Sequence, residues 1–146
     1  MAQLDKVKAS MAALKAKTAK LGVPKIEGKD PVARKDAPAL YFGTTKMNNF
    51  SDVVDEVAKE HGGTVTLLVK AGDEYVRVAT NLKKDDGSRA IGTVLDMTSP
   101  AIAKINKGEA YYGEATILGK PYVTGYEPIK DASGKVIGSY FVGYVK

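Results

Sequence analysis

The chain has 146 residues, no Cys, a single His and a net charge of +5. That length makes one domain with room for a real core, and the lack of Cys excludes disulfides and thiolate metal sites. No apolar run reaches the roughly 18 to 20 residues of a spanning helix, and residues 1–20 lack the apolar centre of a signal peptide. The charge is unevenly placed: residues 1–36 hold nine Lys or Arg against four Asp or Glu, whereas residues 37–146 hold thirteen of each. The basic excess lies on a segment without aromatics, which argues against a nucleic-acid module and for a solvated helix face, or one near acidic lipid headgroups.

Leu4, Val7, Met11, Leu14, Thr18 and Leu21 recur at alternating spacings of three and four. This is the seam of an amphipathic helix, predicted over 3–20 and stopped by Gly22 and Pro24. The seam suits either of two partners, the back of a sheet or the same helix of a second subunit. Residues 22–40, with three Pro and mixed charges, read as a connection without regular structure. Ser51 is the expected N-cap of a second helix with Val53, Val54 and Val57 as its stripe and Gly62 and Gly63 at its end. His61 falls in the last turn, where a cation complements the helix dipole, so neither a catalytic nor a metal role is assigned to it.

From residue 64 the pattern becomes extended. Runs at 64–70 and 74–82 flank a turn as a hairpin, and 83–87 is a loop. A short helix is predicted over 100–107, with Ser99 as N-cap, Pro100 at its first position and Gly108 after it. Strands then follow at 114–118, 120–129 and 136–145, the last two joined by a turn at 131–134. The fold class is α+β, with five antiparallel strands and helices on their faces. The crossover of about 30 residues between the second and third strands is long enough to roof a pocket.

Residues 119–127 read GKPYVTGYE. In an extended chain Lys120, Tyr122, Thr124 and Tyr126 share one face, which is either solvated or supplied with partners by an anionic ligand. Arg77 sits mid-strand in YVRVATN, Arg89 follows the 83–87 loop, and Tyr111 and Tyr112 come after the crossover helix. A guanidinium grips a carboxylate through two parallel bonds, and phenols with a lysine complete the shell. Phosphate loops, dinucleotide fingerprints, zinc motifs and nucleophile elbows are all missing, and no carboxylate pair stands out. The chain is read as a binding module without catalysis, and no cofactor is called for.

The segments YVRVATN (75–81), DDGSRAIGT (85–93), KGEAYYG (107–113), ILGKPYVTGYEPI (117–129) and the closing GY (143–144), with ALYFG at 39–43, resemble the single Cache sensor domains of bacterial chemoreceptors. The Cache 3/Cache 2 fusion type is the nearest in pattern. The resemblance implies a PAS-like domain, residues 1–22 forming its N-terminal helix and 23–146 the ligand-binding body. It implies a periplasmic or extracytoplasmic sensor of a small organic acid such as acetate, pyruvate or lactate, in chemotaxis or signal transduction. The implied pocket draws on Arg77, Arg89, Tyr112, Lys120, Tyr122, Thr124 and Tyr126. The implied partners are that carboxylate and a second copy through the N-terminal helix. Membrane attachment would use segments absent from this chain, which reads as an excised receptor domain or a secreted relative. A different class of function is a PAS-like interaction module whose pocket is vestigial.

Overall fold

The computed structural model describes residues 2–33 and 35–146. Its first helix, α1, spans Ala2–Ala19. Val7, Met11, Leu14 and Thr18 are all buried to within 1% of full enclosure, so the seam faces the chain's own sheet. The Thr18 hydroxyl donates to Leu14 O, which satisfies that polar side chain within the helix itself.

The segment expected to be irregular contains a small antiparallel sheet. It is built from β1 (Pro24–Lys29), β2 (Pro38–Phe42) and β3 (Thr45–Lys46) in the order β1-β2-β3. The sequence PKIEGK hides β1 because nearly all of it is solvated, so it lacks the apolar alternation that marks a half-buried strand. The Asn48 side chain holds the unit together: its amide donates to Asp30 O and Pro38 O, and its oxygen accepts from Leu40 N.

Helix α2 runs Asp52–His61. Ser51 occupies the N-cap position without capping, because its backbone is not extended and its Oγ accepts instead, over 3.4 Å, from Thr80 N. The main sheet comprises β4 (Thr64–Ala71), β5 (Glu74–Thr80), β6 (Tyr111–Ile117), β7 (Lys120–Lys130) and β8 (Val136–Val145). They are antiparallel throughout, in the order β5-β4-β8-β7-β6. Helix α3 (Pro100–Asn106) is capped as expected, with Ser99 Oγ accepting from Ala101 N.

The sheet has two differently used faces. One packs α1, α2 and the small sheet against Val65, Leu67, Val69, Val76, Val123 and Val142. The other carries Leu68, Tyr75, Tyr122, Tyr126 and Phe141 and is covered by the crossover through Leu82, Leu95, Ala101, Ile102 and Ile105. Within the crossover, Leu95 N donates to Tyr75 O and Arg77 N to Thr93 O, so residues 92–95 extend the sheet past β5. The roof expected over the sheet is present, with strand-like pairing at its start and α3 at its end. Among the described residues no helix is long and apolar enough to cross a membrane.

Candidate functional site

Arg77 lies on the roofed face with 4% of its surface exposed. Alternation from Tyr75 places it there, and a β-bulge follows: Leu67 pairs with Ala79 and Leu68 with Arg77, so Val78 is an extra residue in β5. The bulge gives both Val78 and Ala79 to the α1 face and leaves Tyr75 and Arg77 on the roofed one. Arg77 Nη1 donates to Thr93 Oγ1 at 2.9 Å and, more weakly, to Val94 O at 3.4 Å. No carboxylate among the described residues forms an ion pair with it. Burial pulls its pKa below the usual guanidinium range, and the nearby Tyr126 and Tyr122 phenols act in the opposite direction.

Tyr126 is 1% exposed, and its hydroxyl is buried without a hydrogen-bond partner. Burial pushes that phenol's pKa upward, with Arg77 opposing, so it stays protonated and able to donate. Its ring packs against Phe141, with centroids 4.9 Å apart, and against Tyr111 at 6.3 Å. Tyr122 is also buried on this face. An unpaired guanidinium and an orphaned hydroxyl are each costly, roughly 1 to 3 kcal/mol for the hydroxyl alone. Together the two groups offer hydrogen-bond donors of a kind that suits an anionic group.

A cavity of about 210 Å³ adjoins Arg77, lined also by Val94, Leu95, Asp96, Thr116, Ile117, Leu118 and Gly119. Its outer wall is the two-residue turn between β6 and β7. Leu118 takes φ 48° and Gly119 φ 82°, the left-handed pair that a tight hairpin turn requires. Leu118 is an unusual residue for that conformation and stands 49% exposed at the cavity mouth. A larger groove of about 620 Å³ lies at the end of the sheet that carries the β4–β5 and β7–β8 turns, beside Lys25, Lys70 and Lys135. Size alone favours it, but it contains no buried unsatisfied group, and the chemistry points to Arg77.

The seven residues expected to form the pocket separate into three groups. Arg77, Tyr122 and Tyr126 come together on the roofed face. Thr124 is buried, with its hydroxyl committed to Gly113 O at 2.8 Å, and Lys120 is exposed one residue beyond the lining residue Gly119. Of the seven only Arg77 is among the residues that line the cavity, and Tyr112 and Arg89 are engaged elsewhere. Tyr112 pairs with Gly125, projects toward α1 and donates to Glu127 Oε2, while its ring lies under Lys8. Its neighbour Tyr111 is the one that shares Tyr126's face, since a shift of one residue along a strand reverses the side. Arg89 makes a bidentate pair with Asp55 on α2, at 2.7 and 2.8 Å, and donates also to Thr80 O. That pair clamps the crossover to α2, and the bond to Asp55 raises the guanidinium pKa.

Sequence reasoning passed over Thr93, Asp96, Ile117 and Tyr75. Tyr75 is fully buried, its hydroxyl donates to Asn106 Oδ1 at 2.6 Å across to the end of α3, and burial pushes its pKa up to about 12. Its alternation with Arg77 in YVR was the available signal. Among the described residues no cluster of His, Cys, Asp or Glu is arranged to hold a metal.

A five-stranded antiparallel sheet with a helix along its back and a crossover roof over a small cavity beside a buried arginine defines a PAS-like ligand-sensing module. The chain belongs to the Cache 3/Cache 2 fusion domain family, whose sequence profile matches residues 2–146. Cache domains are extracellular sensor modules that bind small ligands in signalling. No curated protein matches this chain in sequence.

Proposed function

We propose that this sensor recognises a small monocarboxylate, of the size of acetate, pyruvate or lactate, for chemotaxis or a related signalling output in the periplasm. The observation that carries the reading is the buried Arg77, which has no carboxylate partner and lies beside the unpaired Tyr126 hydroxyl. In this scheme the guanidinium neutralises the carboxylate, Tyr126 and Tyr122 donate to it, and Lys120 adds positive potential at the rim. The crossover acts as the lid. Arg89, Tyr112 and Thr124 hold the scaffold. A cavity of about 210 Å³ is below the roughly 300 to 1,000 Å³ of drug-sized sites and suits a ligand of four to six heavy atoms. At a ceiling of about 1.5 kcal/mol per atom, a four-atom acid binds no tighter than tens of micromolar.

Calorimetry against a panel of two- to four-carbon acids tests this. Heat and a thermal shift are expected from at least one monocarboxylate in wild type and from none in Arg77→Gln. Silence from every acid at millimolar concentration would sink the reading. The alternative, an interaction module with a vestigial pocket, loses its expected surface because the α1 seam is buried in the molecule itself. A homodimer through α1 would therefore use the outer face, where Lys6, Ala9, Ala12 and Ala16 are exposed.

A further inference from the structure

Resting on the carboxylate reading above, we propose that Asp96 is a specificity-determining residue that excludes a second carboxylate from the ligand. Arg77 and Asp96 line one cavity together with the apolar side chains of Leu95, Ile117 and Leu118 and the hydroxyl-bearing Thr116. A small acid anchored on Arg77 therefore directs its far end along an apolar wall toward the Asp96 rim. Asp96 Oδ1 accepts from Thr98 N at 2.8 Å and Thr98 Oγ1 at 2.7 Å, which fixes the carboxylate in place. The bonds from the Thr98 backbone and then its hydroxyl lower the Asp96 pKa, so the group is ionised throughout the neutral range.

No Lys or Arg among the described residues forms an ion pair with Asp96, and Arg77, the cation in the same wall, is the group that the acid's own carboxylate engages. Lys120 is the nearest cation along β7, and it does not line the cavity. A neutral end meets hydrocarbon and is accepted; an ammonium end is attracted to Asp96; a carboxylate end is repelled. Two like charges several Å apart near a protein surface change an affinity by roughly tenfold or more at low salt, and less as salt screens them.

The test is isothermal titration of propionate, β-alanine and malonate into wild type and Asp96→Asn at low and high salt. Wild type is expected to bind propionate at least tenfold tighter than malonate at low salt, with β-alanine no weaker than propionate. Asp96→Asn should bring malonate to within about threefold of propionate while leaving propionate itself within twofold, and high salt should narrow the wild-type gap. Propionate binding with an unchanged malonate ratio in Asp96→Asn would overturn this inference and leave the carboxylate reading standing. Absence of binding to wild type by all three ligands and also by acetate, pyruvate and lactate would overturn both.

Discussion

Arg77 is kept charged in a place that disfavours charge, and that conflict makes distinct predictions for stability and binding. Its pKa is lowered on folding, so the cation is less comfortable in the folded chain than in the unfolded one, and it subtracts from stability at every pH where it is protonated. Arg77→Met should therefore raise the unfolding free energy of the ligand-free protein by about 1 to 4 kcal/mol, while abolishing ligand-induced stabilisation. Denaturant melts with and without acid separate the two effects. Tyr126→Phe removes a hydroxyl that has no partner in the free protein. Its apo stability should be unchanged or higher, and its affinity for the acid about tenfold weaker, equal to one hydrogen bond of ~1.4 kcal/mol. A loss of apo stability in either variant would show that these groups serve the fold rather than a ligand.

At the scale of elements, α1 and β7 are joined by close packing and one charge cluster. A Cβ at Gly125 would lie 2.7 Å from Val7 Cγ1 and 2.7 Å from Tyr112 Cε1, so this strand position admits the helix only as glycine. Leu14→Ala should cost about 2 to 5 kcal/mol, and Leu14→Glu should unfold the domain, both visible in circular dichroism melts. Burial opposes ionisation of Glu127, but hydrogen bonds from Lys15 and Tyr112 outweigh it and hold its pKa below the usual carboxylate range. A carboxyl whose folded pKa is depressed stabilises fully above its unfolded value and loses that contribution as pH falls through the folded value. Glu127→Gln should accordingly be less stable than wild type at neutral pH and lose less on acidification below about pH 4.5. An equal acid slope in both proteins would remove Glu127 from the account.

Across the whole molecule, the architecture was readable from sequence wherever periodicity was strong. The α1 seam, the valines of α2, the Ser-Pro start of α3 and the last two strands carry side-chain patterns that only one element satisfies. The three-stranded unit was not readable, because β1 is solvated and its register is held by Asn48, a long-range contact that leaves no local signature. The site was legible in part for a related reason. Alternation in GKPYVTGYE put Tyr122 and Tyr126 together, but choosing between Tyr111 and Tyr112 needed the register of β6 against β7. Arg77 shares a face with Tyr75 by simple alternation, but Asp96 reaches the cavity through a crossover whose path no periodicity reveals.

A crystal structure of the chain grown with a millimolar two- or three-carbon monocarboxylate is the most direct measurement. The account predicts density for one carboxylate in the cavity of about 210 Å³, within hydrogen-bond distance of both the Arg77 guanidinium and the Tyr126 hydroxyl. An empty cavity at that concentration, or density only in the groove beside Lys25, Lys70 and Lys135, would contradict it.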